Sequence, residues 1–362
     1  MARTPTTKTP TRKPPTKPTK VPPPPKKRSP GKVRKAGGVE PFALPGIDVR
    51  LYRRTGPRGT QVPSIDEGYQ FRPELVEELA WSAWPADGGS PFNVALVGPK
   101  GSGKTSLVEQ VAARANIPVY RVNLNVGTTV RHLFGRIAVR DGATVFVPGV
   151  VTKAMEEGAW LLLDELSGAT PPVSLALFPV FEPDGAVWLS DDDPPRYINR
   201  HPNFRLFCTD NTIGAANEDS RFNYQGTNLM NAALVDRIGT TLQVDYLDPA
   251  AEKAALLSRV KLPTDAKWAR LADMNIDGLI RVANKIRASE DIGGGFSHRM
   301  LLDWSRRVVT PRMDARGKPK KTTGSTTEII AAANSSFLAK MPSRSDSDAI
   351  LGVIQRIFAG TE

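Results

Sequence analysis

A single cysteine, Cys208, stands in 362 residues, which excludes a disulfide framework and a thiolate-built metal site. Histidine is almost as scarce. His132, His201 and His298 lie far apart, without the spacing by which imidazoles share one metal ion. No run approaches the roughly 18 apolar residues of a membrane-spanning helix. Residues 1–38 contain no Asp or Glu and almost no large apolar side chain. Such a stretch cannot bury enough surface to offset the entropy of ordering, so it is expected to be disordered, with polyproline II character at Pro22–Pro25. It also lacks the apolar core of about 7–15 residues that a secretory signal needs. A soluble, cytoplasmic protein without membrane contact is the expectation.

Hydrophobic residues make up 40% of the chain, enough for a real core. The formal net charge is +12, from 49 Lys and Arg against 37 Asp and Glu. Twelve of the basic residues fall within residues 1–38, which leaves residues 39–362 with 37 charges of each sign. The basic character therefore belongs to the tail. Two readings of that tail stay open: an arm for nucleic-acid phosphates or an acidic partner, with strongly salt-dependent binding, or a solvated leader.

Composition and periodicity divide the chain into the tail (1–38), a linker (39–61), an α/β region (62–248) and a helical region (249–362). Short apolar runs at Phe92–Val97, Val119–Leu124, Trp160–Leu163, Arg205–Thr209 and Thr240–Val244 read as five buried strands. Helical patterns separate several of them, as at Thr105–Ala115, which favours a parallel sheet with helices on both faces. After Pro249 the strands stop. Leu256, Leu257 and Val260 mark one helical face, Leu279, Ile280, Ala283 and Ile286 another, and Met300, Leu301, Trp304 and Val308 a third. Arg316–Thr327 reads as a polar surface loop, and Ile350, Val353, Ile354, Ile357 and Phe358 mark a final helix.

The chemistry begins with Gly98, Pro99, Lys100, Gly101, Ser102, Gly103, Lys104 and Thr105, a GxxxxGK[ST] loop between a predicted strand and a predicted helix that opens through Ser106. Glycines let backbone N–H groups turn inward around phosphates, and the helix N-terminus adds its positive end. Lys104 is expected to neutralise the β- and γ-phosphate oxygens of ATP, and the Thr105 hydroxyl to ligate Mg²⁺. A pocket of this kind needs a carboxylate at the tip of a neighbouring strand. Trp160–Leu163 ends in Asp164 and Glu165, the first suited to Mg²⁺ and the second to polarising the attacking water. Phe204–Thr209 ends in Asp210 and Asn211, where a side-chain amide can orient that water without acting as a base. Asp191–Asp193 reads as a solvated hairpin tip.

In this order of elements the chain resembles the AAA+ ATPases of the MoxR group, nearest to the cobaltochelatase small-subunit branch. The likeness runs from about Val62 to the C-terminus. It is carried by VPSIDEGYQF, VEQVAARANIPVYRVNLN, HPNFRLFCTDNT, YQGTNLMNAALVDR, FSHRMLLDWSRR and FLAKMPSRSDSDAILGVIQRIFAG. The resemblance implies that Asn211 is the sensor-1 residue and Arg299 the sensor-2 arginine of a helical lid. It implies that Arg237 is an arginine finger entering a neighbouring subunit's pocket, and hence a homo-oligomeric ring, usually a hexamer. Gly135–Val147 and Ala186–Ile198 would be the family's hairpin inserts, facing the pore or the partner. In that branch the ring works with a subunit bearing a von Willebrand-type domain and drives metal insertion into a tetrapyrrole.

The expected activity is thus Mg²⁺-dependent ATP hydrolysis by a ring that remodels a partner protein. A nucleic-acid-associated ATPase using the basic tail is the alternative, although residues 39–362 carry no net charge and no helix-turn-helix or RNA-binding signature. A structural ring with a vestigial site is disfavoured because each catalytic position is filled.

Overall fold

The computed structural model describes residues 39–211, 232–289, 292, 295–310, 324–341 and 343–359. The chain divides into Met1–Gly31 and Lys32–Glu362, and every described residue belongs to the second unit. The basic tail and residues 212–231 lie outside the described residues.

Residues 39–61, expected as a linker, carry folded elements instead. β1 (Val39–Phe42) pairs antiparallel with β2 (Leu51–Arg54). Leu44, Ile47 and Leu51 are buried in one core with Val76 and Leu79 of α1 (Pro73–Ala83). Pro41, Pro45 and Gly46 interrupt any single period here, so the apolar positions become recognisable only once α1 covers them.

The central sheet draws on β3 (Val94–Val97), β4 (Val119–Asn123), β7 (Trp160–Asp164), β10 (Arg205–Asp210) and β11 (Thr240–Gln243), in the order β11-β3-β10-β7-β4 with every pairing parallel. The three inner strands are buried at every position. That is why they read as continuous apolar runs rather than alternating ones. Their period of two nonetheless sorts the side chains into two cores. Val94, Leu96, Trp160, Leu162 and Phe207 pack with α2 (Lys104–Arg114) and α1. Ala95, Val97, Leu161, Leu163, Leu206 and Cys208 pack with α3 (Val130–Phe134), α4 (Val150–Glu157) and α5 (Pro171–Phe181). Both inserts are antiparallel hairpins: β5 (Gly135–Arg140) with β6 (Ala143–Pro148), and β8 (Ala186–Leu189) with β9 (Arg196–Asn199). A short helix, α6 (Ala232–Val235), precedes β11.

The rest is helical: α7 (Pro249–Leu257), α8 (Ala266–Ala288), α9 (His298–Val309), α10 (Thr326–Ser336) and α11 (Arg344–Phe358). Asp248, Asp265, Ser297, Ser325 and Ser343 each accept a hydrogen bond from a backbone N–H in the first turn of the helix they precede, satisfying donors that would otherwise be orphaned. Part of Arg316–Thr327 falls outside the described residues, but Thr326 and Thr327 open α10 and so correct the reading of a loop through that point. This helix buries Ile329, Ala332 and Ala333 against Trp304 and Phe337. Its small, Ala- and Ser-rich face gives a weak apolar period, which is why the pattern missed it. Among the described residues no helix is long and apolar enough to cross a membrane.

Candidate active site

Because the strands run parallel, their carboxyl ends reach one edge of the sheet, and the loops there meet. Register fixes the meeting. Asp164 lies opposite Asn123, Leu163 opposite Cys208, and Asp210 opposite Val97, the last residue before the phosphate loop. A cleft of about 530 Å³ opens at this edge, lined on one side by Lys100 to Ser106 and on the other by the start of α9. Its size suits a nucleotide.

The loop's glycines are there for two distinct reasons. Gly98 takes φ 150°, and a Cβ there would come 2.1 Å from the Val244 carbonyl oxygen, so backbone approach demands its small size. Gly101 takes φ 76°, a left-handed conformation, and a Cβ there would lie 2.6 Å from Cβ of Ser297 in the lid. Gly98 and Pro99, expected to bind ATP, do not line the cleft and instead offer carbonyls to Lys104, whose Nζ donates to them at 2.7 and 3.0 Å.

Lys104 Nζ also donates to Oδ1 of Asn211 at 3.1 Å. Burial brings the Lys104 ammonium down to about 8, against the opposing pull of Asp164, Asp210 and Glu165. Thr105 Oγ1 donates to Oδ1 of Asp164 at 2.9 Å. Burial works against the charge on Asp164. Hydrogen bonds from Thr209, Arg121 and Thr105 outweigh it and hold the carboxyl below its ordinary value. Glu165 follows in a left-handed conformation at φ 58°, with its backbone N–H donating to Thr209 Oγ1 at 3.3 Å and its side chain exposed at the cleft. A non-glycine residue in that region carries strain that functional sites commonly hold. Asp210 accepts from the backbone N–H of Ser167 at 2.6 Å, its Oγ at 3.0 Å and the N–H of Asn211 at 2.7 Å. It thereby clamps the segment after Glu165 to the one bearing Asn211. Arg299, the second residue of α9, reaches the cleft from the lid.

Orphaned polar atoms provide a test of whether a nucleotide fits. Among the described residues, Ser102 Oγ and His298 Nε2 are buried without a hydrogen-bond partner, and both residues line the cleft. The Thr105 hydroxyl and the Asp164 carboxylate are the hard oxygen donors that Mg²⁺ prefers. Among the described residues no group of three or more His, Cys, Asp or Glu could hold a metal ion, so phosphate and water oxygens would have to complete the shell.

Residues 93–238 match the AAA domain of the dynein-related subfamily. The chain is 33% identical over 268 residues to the aerobic cobaltochelatase subunit CobS of a Sinorhizobium species, covering 72% of this chain and 77% of that protein. It is 29% identical over 276 residues to the gas vesicle ATPase GvpN1 of Halobacterium salinarum, covering 68% of this chain and 73% of that one. The chain belongs to the MoxR-like AAA+ ATPases. Among solved structures, the Thermotoga maritima RuvB Holliday junction branch migration motor overlays with a TM-score of 0.39 and 16% identity, over 68% of this chain and 65% of that chain, a likeness too slight to inform function.

Of the side chains that an AAA+ ATPase would use, Lys104, Thr105, Asp164, Glu165, Asn211 and Arg299 line one cleft. Arg237 does not. Its Nε lies 2.5 Å from Oε1 of Glu182, its Nη1 donates to the Ala233 carbonyl at 2.5 Å, and its guanidinium sits 5.3 Å from the Phe178 ring centre. Sequence reasoning passed over Arg121 of β4, whose Nη2 and Nε donate to Oδ2 of Asp164 at 2.5 and 3.1 Å, while Nη1 meets Glu109 at 3.3 Å. It also passed over Thr209, whose hydroxyl donates to Asp164. Thr209 was legible as the penultimate residue of a strand ending at the cleft. Arg121 was not, because its partner depends on β4 lying beside β7. The acidic run at Asp191–Asp193 is a hairpin tip, where Asp192 pairs with Arg196 of β9.

Proposed function

We propose that this AAA+ ATPase hydrolyses Mg·ATP as a homo-oligomeric ring, usually of six subunits in this family, and uses the energy to remodel a partner protein. The observation that carries the reading is the convergence of Lys104, Thr105, Asp164, Glu165, Asn211 and Arg299 on a single cleft. Loop N–H groups and Lys104 bind the β- and γ-phosphates. Thr105 and Asp164 would hold Mg²⁺, which when bound neutralises charge on the phosphate oxygens. Glu165 takes a proton from the attacking water, Asn211 orients that water, and Arg299 steadies the γ-phosphate from the lid. Arg237, tied to Glu182 outside its own cleft, suits a finger that serves a neighbour's.

The likeness to CobS supports a partner bearing a von Willebrand-type domain, with the chain as the motor subunit of a chelatase-like complex acting in the cytoplasm. The twelve basic residues before position 39 favour a second role, holding nucleic acid. Removing residues 1–38 and finding DNA binding and DNA-stimulated hydrolysis unchanged would discard it.

The decisive material is Glu165→Gln. It is expected to bind ATP and retain assembled rings while turnover falls by about 10²–10⁴, and affinity capture with it should retrieve the client. Normal turnover removes Glu165 as the base. Arg237→Ala is expected to bind ATP normally and to lose most activity, about 10³-fold. Mixing in wild-type subunits should restore part of it, and no rescue would argue against action in trans.

A further inference from the structure

A second set of polar side chains ties the lid to the phosphate loop. Glu252 of α7 is fully buried, and Arg287 of α8 grips it in a fork, Nη1 to Oε2 and Nη2 to Oε1, both 2.8 Å. Oε1 of Glu252 also lies 2.9 Å from Nδ1 of His298, the first residue of α9. Arg287 Nε donates to the Phe296 carbonyl at 2.8 Å, on the approach to the same helix. The guanidinium then lies over the ring of Tyr246, 4.0 Å from its centre, and the Tyr246 hydroxyl donates to the Lys100 carbonyl at 3.1 Å. Burial disfavours the Glu252 carboxylate, yet the hydrogen bonds from Arg287 and His298 outweigh it and keep the group ionised.

A buried ion pair is a costly way to stabilise a fold, since well-packed apolar side chains of like volume commonly do as well or better. Its strength is geometric. A carboxylate with both oxygens engaged by a planar fork, and a third partner on one of them, leaves the three helices little freedom to slide. Here those helices are α7, α8 and α9, and the far end of the chain of contacts is the phosphate loop itself. The start of α9 also packs directly on that loop, since a side chain at Gly101 would strike Ser297.

We propose that Tyr246, Arg287, Glu252 and His298 form a positioning relay that holds the N-terminus of α9, and with it Arg299, in register with the phosphate loop. The proposal rests on reading Arg299 as the lid arginine that acts on the nucleotide. Tyr246, Arg287 and Glu252 work through the start of α9 and Arg299, so breaking one of their links leaves Lys104, Thr105 and Asp164 in place and loosens the lid's contribution alone.

Tyr246→Phe tests this most cleanly, because it removes one hydroxyl and keeps the ring over Arg287. The expected result is a fall of about fivefold in kcat, the worth of one hydrogen bond, with binding of a fluorescent ATP analogue changed less than about twofold. Amides at the start of α9 should exchange hydrogen faster in the ATP-bound variant. In an Arg299→Ala background the same substitution should cost nothing further, as coupled residues behave. An equal loss in both backgrounds, or no loss in either while Arg299→Ala is itself impaired, overturns the relay. Wild-type hydrolysis by Arg299→Ala alone would instead defeat the reading of Arg299, and the relay with it. Glu252→Gln should reproduce the pattern more strongly; should it fail to fold, Tyr246→Phe decides the matter unaided.

Discussion

Asp164 and Glu252 are both buried carboxylates held by an arginine, but one opens on a cleft and the other is sealed. The side chain of Arg121, beside Asp164, is 46% exposed, whereas that of Arg287, beside Glu252, is 8% exposed. Both acids stay ionised by the same means, hydrogen bonds that outweigh burial. Solvent access separates their uses. At the sheet edge water can replace the arginine, so the pair can part when a stronger cation arrives. In the lid nothing can replace it, so the pair serves as a fixed joint.

The largest contrast should come from removing charge on each side. Lys104→Ala is expected to abolish tight ATP binding, measured by calorimetry, while the protein stays folded. Retained micromolar affinity would contradict the loop assignment, and unfolding would erase the distinction between the two regions. Next in size is stability. Glu252→Gln strands Arg287 in the interior and should cost about 3–5 kcal/mol, against about 1 kcal/mol or less for Asp164→Asn beside a half-exposed arginine, both read from denaturant melts. Because both carboxyls are held below their ordinary values, their stabilisation is complete above roughly pH 4 and is lost as pH falls through the folded values. The Glu252→Gln melt should therefore converge on wild type at low pH; parallel curves down to pH 2 would break the comparison. The smallest effect belongs to Arg121→Gln. Freeing Oδ2 of Asp164 should tighten Mg²⁺ by a few fold in a titration of nucleotide binding, and weaker Mg²⁺ would mean that Arg121 supports the site rather than competing for it.

Much of this arrangement was readable in advance where a single segment carries the signal. The phosphate loop announces itself through glycines that only a backbone at φ 76° or 97° requires, and Asp164 and Glu165 stand where an apolar run stops. The two hairpins were expected through the family resemblance, and both form. Residues 39–61 were not, because their apolar positions follow no period and gain meaning only under α1. Nor was α10, whose buried face is mostly alanine and serine.

Local patterns by themselves determined the sheet strands, the phosphate-binding turn and the presence of a helical lid, because backbone preference and side-chain period act over a few residues. Tertiary structure alone decided which charges meet. Arg121 and Asp164 are 43 residues apart, Glu252 and Arg287 are 35 apart, and Glu252 and His298 are 46 apart. Such partners are chosen by strand register and helix packing, which bring distant side chains together; in the sealed lid, where water cannot substitute, pairing then becomes obligatory.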